Sequence, residues 1–250
     1  MTDSNESGAD RRIAILIDGD NAQPSLISNM LAETGKYGLL TIRRIYGDWT
    51  TSNMGGWKDT LQTYAVQPIQ QFRYTIGKNA TDSAMIIDAM DILYEGVVDG
   101  FCLVSSDSDY TRLATRIREK GFFVMGIGKK MTPRAFVNAC NVFVFTENLT
   151  PGKTYTKPAA GQKTNGSTEP ETPDPTPLLN RAFDLAVQDD GWAFLGVMGQ
   201  HLRQLDPSFD PRTYGFKQLS LLIRALPNIY KVREVKQANG ASIISVRHKD

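Results

Sequence analysis

Two cysteines and two histidines are all that 250 residues supply, and neither histidine lies near a cysteine. That scarcity excludes a structural zinc site, which needs four such ligands at close spacing. Cys102 and Cys140 sit far apart inside apolar, strand-like segments, so they read as small buried hydrophobes in a reducing compartment rather than as a disulfide. No apolar run approaches the roughly 20 residues needed to span a bilayer. The first ten residues, MTDSNESGAD, are polar and acidic, the reverse of a secretory signal, and predict a cytoplasmic address. A surplus of one charge is missing too. Lys and Arg number 28 against 27 Asp and Glu, a formal charge of +1, so any attraction for a polyanion must be local.

What is present falls into three stretches: residues 11–149, a linker at 150–177 and a smaller module at 178–248. Between Thr150 and Pro177 apolar residues nearly vanish, and Pro, Thr, Gly and Lys replace them. Such a segment buries too little apolar surface to offset its ordering entropy and is expected to be a disordered linker with a reach of about 30 Å.

The first stretch alternates strand-like runs at Ile13–Ile17, Leu39–Tyr46, Pro68–Phe72, Phe101–Val104, Phe122–Ile127 and Val142–Phe145 with helical patterns. The helices fall at Ser25–Thr34, Trp57–Ala65, Asp82–Tyr94, Tyr110–Lys120 and Pro133–Ala139. This order predicts an α/β fold with a parallel sheet and crossover helices. The first and fourth runs are continuously apolar, as central strands covered on both faces require. After the linker, helices near Leu178–Val187, Phe194–Leu205 and Tyr214–Leu226 precede strands at Tyr230–Val235 and Ser242–Arg247 around Asn239-Gly240, a hairpin signal. Three helices and a terminal hairpin spell a small winged-helix domain.

Ligands of open parallel sheets bind beyond the carboxyl ends of the strands, where strand order reverses. The first strand ends in Asp18-Gly19-Asp20-Asn21 and the fourth in Ser105-Ser106-Asp107-Ser108-Asp109, so both release acids at one edge. Asp82 falls in the first turn of its helix, near the same edge, whereas Asp88 lies almost two turns away and is expected to be solvated or structural. An aspartate after a strand often caps the next helix, and Asp20 and Asp109 are placed to do that. Acids from three segments would repel one another unless a cation or protons shared the site, which points to a hard divalent ion, Mg²⁺ or Mn²⁺.

The motifs IDGDNA at Ile17–Ala22, YGDW at Tyr46–Trp49, KNATDSAMIIDAM at Lys78–Met90 and SSDSDY at Ser105–Tyr110 resemble the NYN domain, a PIN-like nuclease family. The resemblance covers Arg12 to about Leu149. It implies a Rossmann-like sheet whose acids hold divalent metal for RNA hydrolysis, with Asp18, Asp82, Asp107 and Asp109 as catalytic, metal-coordinating residues and Asn21 as a polar neighbour. Many members carry Lys-Gly before the helical acid, where this chain has Lys78-Asn79. PIN-like domains often pair, so the resemblance also leaves room for a homodimer.

Around the acids, Asp20, Ser106 and Lys78 are supporting candidates, and Lys78 with Arg73 upstream is placed to contact a phosphate. Gly126-Ile127-Gly128-Lys129-Lys130 follows the fifth strand at the same edge, which offers Lys129 to an RNA backbone. Trp49 is the aromatic best placed to stack on an unpaired base. From Leu178 to about Arg247, Gly191-Trp192, Leu202, Leu205, Pro207-Ser208-Phe209 and Tyr214-Gly215-Phe216-Lys217-Gln218-Leu219 resemble the OST-HTH or LOTUS domain, an RNA-binding winged-helix family whose members also bind protein partners. Lys217 and Arg224, seven apart, are expected on one helical face, and Lys231, Arg233, Lys236 and Arg247 on the hairpin, as phosphate contacts.

These readings converge on a divalent-metal-dependent endoribonuclease acting on single-stranded or flexible RNA, with selection left to the C-terminal module. The rivals are a non-catalytic RNA-binding adaptor that keeps the acidic site, and a metal-dependent phosphatase or DNase, since carboxylates do not read a sugar.

Overall fold

The computed structural model describes residues 10–72, 80–150, 174–236 and 242–249, and the chain divides into two compact units, Met1–Pro151 and Gly152–Asp250.

In the first unit six parallel strands form one sheet: β1 (Arg12–Asp18), β2 (Leu39–Gly47), β3 (Gln67–Gln70), β4 (Gly100–Val104), β5 (Phe123–Gly128) and β6 (Val142–Phe145), in the order β3-β2-β1-β4-β5-β6. The crossover helices are α1 (Ile27–Thr34), α2 (Lys58–Tyr64), α3 (Ala80–Glu95), α4 (Thr111–Glu119) and α5 (Arg134–Ala139). A pleated strand sends successive side chains to opposite faces, and β1 shows why its run is apolar throughout. Ala14 and Leu16 enter the core beneath α3, α4 and α5, while Ile13, Ile15 and Ile17 enter the core beneath α1 and α2. All five are 0% exposed. Full burial of each isoleucine contributes about 1.5–3 kcal/mol, so a polar residue at any of them would break the sheet's centre.

β1, β2 and β3 succeed one another toward one edge, and the chain then returns through α3 to lay β4 on the other side of β1. The β1/β4 pair, with Ile17 opposite Val104, is therefore the point where strand order reverses. Cys102 and Cys140 are free and buried, and burial pushes the Cys102 thiol up to about 12, so both behave as small hydrophobes.

The second unit packs α6 (Thr176–Ala186), α7 (Leu195–Leu205) and α8 (Leu219–Arg224) against a three-stranded sheet of β7 (Ala193–Phe194), β8 (Tyr230–Lys236) and β9 (Ser242–His248), in the order β7-β9-β8. α6 opens two residues before the expected start, with Pro177 in its first turn, where a missing N–H is harmless. The third helix departs more from expectation. Tyr214 closes a 3-10 turn begun at Pro211, Gly215 takes φ 85° in the left-handed region, and α8 starts only at Leu219. Most of the linker, residues 151–173, and the Asn239-Gly240 turn lie outside the described residues.

Candidate metal centre

Asp18 is the last residue of β1 and is 1% exposed. Its Oδ1 accepts the backbone N–H of Asp20 at 3.1 Å, and its Oδ2 accepts Asn21 Nδ2 at 2.6 Å and Ser105 Oγ at 2.9 Å. The turn that allows this needs Gly19, whose N–H donates to Tyr46 O at 2.9 Å and where a Cβ would stand 2.8 Å from that oxygen. Burial raises the Asp18 pKa, the Asp82 charge raises it further, and the three hydrogen bonds oppose both.

Across the strand pair, Ser105 opens the segment after β4. Its hydroxyl donates to Asp18 and accepts the Asp107 N–H at 3.1 Å, so one buried serine links the acids of the two central strands. Asp107 caps a 3-10 turn at Ser108–Tyr110 by accepting the Asp109 N–H at 2.9 Å. That turn swings the Tyr110 ring into the core, 0% exposed, and its hydroxyl donates to Asp82 Oδ1 at 2.7 Å. Asp82 stands in the first turn of α3. Next to it, Thr81 Oγ1 donates to Asp20 Oδ2 at 3.2 Å, joining α3 to the β1 loop.

One carboxylate oxygen each from Asp82, Asp107 and Asp109 lies within 4.8 Å of the other two. At such separations like charges repel by about 1 kcal/mol under full water screening and about 4 kcal/mol near a protein surface. The fully hard, all-oxygen donor set, with no histidine or cysteine among its members, fits Mg²⁺ or Mn²⁺ rather than a soft metal. Asp18, which is buried, stands outside this mutual group.

Burial raises the Asp82 pKa first, and the charges of Asp107, Asp109 and Asp20 raise it further, against the lowering effect of the Tyr110 bond. An acid whose folded pKa is raised holds its proton more tightly than in the unfolded chain, so its contribution to stability falls as pH rises from about 4 through the folded value. Asp82→Asn keeps an acceptor for Tyr110 and removes the charge. In EDTA its melting temperature is expected to exceed that of the unaltered protein by a margin that widens from acid toward neutral pH, measured by thermal melts across that range.

The remaining candidates are distributed around this centre. Ser106 Oγ accepts the Lys129 backbone N–H at 2.9 Å, which ties the end of β4 to the end of β5 and leaves Lys129 half-buried. Trp49 is also half-buried, its Nε1 donating to Ile69 O at 3.0 Å. Arg73 and Lys78 lie outside the described residues. Asp88 is held by Arg44 and the Tyr46 hydroxyl, pinning α3 to β2 two turns below Asp82. Two residues in direct contact with the acids, Ser105 and Tyr110, did not stand out as site residues in the sequence. Their signal was their place, at the first position after the central strand and at the end of SSDSDY.

In the second unit, Lys231 pairs directly with Arg247 across the hairpin, and Arg233 lies over the Trp192 ring at 4.4 Å from its centroid. Arg224 is engaged by Glu234 at 2.7 Å. Lys217 is exposed but precedes α8, so the shared helical face expected for Lys217 and Arg224 does not exist: Gly215 ends the preceding turn and the helix begins after Gln218.

The NYN domain model matches residues 12–147, a span that contains the whole acidic centre and more than half of the chain. The chain belongs to the NYN family. Its NYN domain is followed by a match to the OST-HTH/LOTUS domain at residues 169–241. NYN domains are typically nucleases and LOTUS domains bind RNA. No curated protein matches the chain. Among solved structures it is similar to a protein of unknown function from Vibrio parahaemolyticus RIMD 2210633, at 19% identity and a TM-score of 0.46 over 56% of this chain and 95% of that one. It is also similar to an uncharacterized protein from Nitrosomonas europaea, at 31% identity and a TM-score of 0.28 over 38% of this chain and 90% of that one. No helix among the described residues is long and apolar enough to cross a membrane.

Proposed function

We propose that the chain is a divalent-metal-dependent endoribonuclease, with a catalytic NYN domain at residues 11–149, a linker at 150–177 and an RNA-holding LOTUS module at 178–248. The observation that carries this reading is the convergence of Asp82, Asp107 and Asp109 within 4.8 Å at the strand-order reversal of an NYN fold. These three would hold Mg²⁺ or Mn²⁺. When bound, the ion supplies Lewis acidity toward a phosphodiester.

The chain's own residues account for the rest. Ser105 sets Asp18 and Asp107 in register, and Asp18, screened from solvent, would add negative charge to the site that holds the ion without competing for substrate. Asn21 fixes the Asp18 carboxylate, and Thr81 fixes Asp20 at the rim. Lys129, at the end of β5, and Lys78 and Arg73 would draw the RNA backbone toward the acids. The hairpin face of Lys231, Arg233 and Arg247, with Trp192 beneath Arg233, offers three cations and an aromatic plane to a polyanion whose bases stack. Tethering through the linker would raise the local RNA concentration at the NYN domain to about the millimolar range. The two free buried thiols suit a cytoplasmic setting.

The test is incubation of the full chain with matched single-stranded RNA and DNA in Mn²⁺, Mg²⁺ or EDTA. RNA is expected to be cut at internal positions with either metal and spared in EDTA. DNA cut as fast as RNA would move the assignment to a sugar-indifferent phosphodiesterase.

A further inference from the structure

We infer that Tyr110 is a positioning residue for the metal centre: its buried hydroxyl holds one oxygen of Asp82 and thereby aims the other at the cation. The inference rests on the reading of Asp82, Asp107 and Asp109 as a cation site.

Three observations carry it. The Tyr110 hydroxyl donates to Asp82 Oδ1 at 2.7 Å, and the ring that bears it is 0% exposed, tilted against Phe136 at 6.3 Å, so the donor cannot swing away from its acceptor. Tyr110 ends the very turn that Asp107 caps and Asp109 occupies, which means that the packing of one ring sets the positions of acids from two separate segments, α3 and the β4–α4 loop. The third is chemical. Asp82 is flanked by like charges, and a lone carboxylate in that position is free to rotate away from Asp107 and Asp109 to relieve repulsion. A neutral donor bonded to one oxygen resists that rotation without adding a competing positive charge, as a lysine or arginine would.

Partners that orient metal ligands in this way are worth about 10–100-fold in metal affinity. Tyr110→Phe keeps the ring and its packing and deletes only the hydroxyl. Binding of Mn²⁺ to the full chain, measured by isothermal titration calorimetry and by the loss of free Mn²⁺ signal in electron paramagnetic resonance, is expected to weaken about 10–100-fold in Tyr110→Phe, with melting temperature in EDTA near that of the unaltered protein. Asp82→Asn and the double variant Asp82→Asn/Tyr110→Phe complete a cycle. Once Asp82 is neutral, removing the hydroxyl should cost no further affinity, whereas a hydroxyl acting only through general stability would subtract the same increment in both backgrounds. Unchanged Mn²⁺ affinity in Tyr110→Phe, with binding lost in Asp82→Asn, would overturn the positioning role and leave the cation site standing. Additive losses would overturn it equally. Absence of Mn²⁺ binding by the unaltered chain would remove the cation site and this inference together.

Discussion

Asp107→Asn is expected to lower kcat/KM for single-stranded RNA by about 10²–10³-fold, the range found when one preorganised electrostatic group is removed from a catalytic centre. The substitution is nearly isosteric, and asparagine caps a turn about as well as aspartate. The hydrogen bond from the Asp109 N–H therefore survives on Oδ1, and the Asp107 N–H still reaches Ser105 Oγ. What disappears is one of three negative charges within 4.8 Å. Stability in EDTA is expected to hold or rise, because a repulsive pair is relieved. Steady-state cleavage kinetics with a parallel thermal melt separate the two effects: a parallel fall in melting temperature and activity would mean that Asp107 serves the fold and not the chemistry.

The triple variant Lys231→Ala, Arg233→Ala, Arg247→Ala is expected to weaken RNA binding by roughly 10–100-fold and to flatten its salt dependence by about two to three units of log–log slope. Lys231 and Arg247 face each other in register across β8 and β9. Like charges in that relation oppose folding, so a purely structural account has no use for the pair, and removing it should not lower stability. Arg233 over Trp192 contributes about 0.5–1 kcal/mol at an exposed site, so the net change in folding should stay small. Binding to a labelled RNA at several salt concentrations reads the slope. Unaltered slope and affinity would place the RNA contact elsewhere.

How far the sequence disclosed this arrangement depends on how local the governing physics was. The central strands β1 and β4 were legible because burial on both faces demands unbroken apolar runs, and no turn or surface helix competes with that pattern. The acids after these two strands fall at the edge where open parallel sheets bind ligands, Asp82 joins them from the first turn of its helix, and their metal-holding role came from the NYN resemblance. The third helix of the LOTUS unit starts later than its pattern suggests because Phe216, Leu219, Ile223 and Leu226 keep a helical spacing through a segment that Pro211 and Gly215 break, so Lys217 does not share a face with Arg224. The two-residue β7 carries no periodicity of its own: it is defined by pairing with Val246 and Ser245 and by a bridge between Ala193 and Val187, tertiary contacts that the sequence does not display. Ser105 and Tyr110 lie within SSDSDY with no sequence signal of their roles, since a serine bridging two acids and a buried phenol facing a third segment become visible only when the chain is folded. Arg224, read as a phosphate contact, is engaged by Glu234 from the neighbouring hairpin, a pairing ten residues distant that no helical spacing would signal.

If Asp82, Asp107 and Asp109 form a metal-dependent RNA-cleaving centre, single-turnover cleavage of an end-labelled single-stranded RNA by the full chain, with Mn²⁺ titrated from an EDTA-treated start, reads it out. No cleavage is expected without metal, and the rate should saturate as Mn²⁺ is added. Cleavage that persists unchanged in EDTA, or RNA that is bound but never cut at any Mn²⁺ or Mg²⁺ concentration, would contradict such a centre, the second result favouring an RNA-binding adaptor that has kept an acidic site.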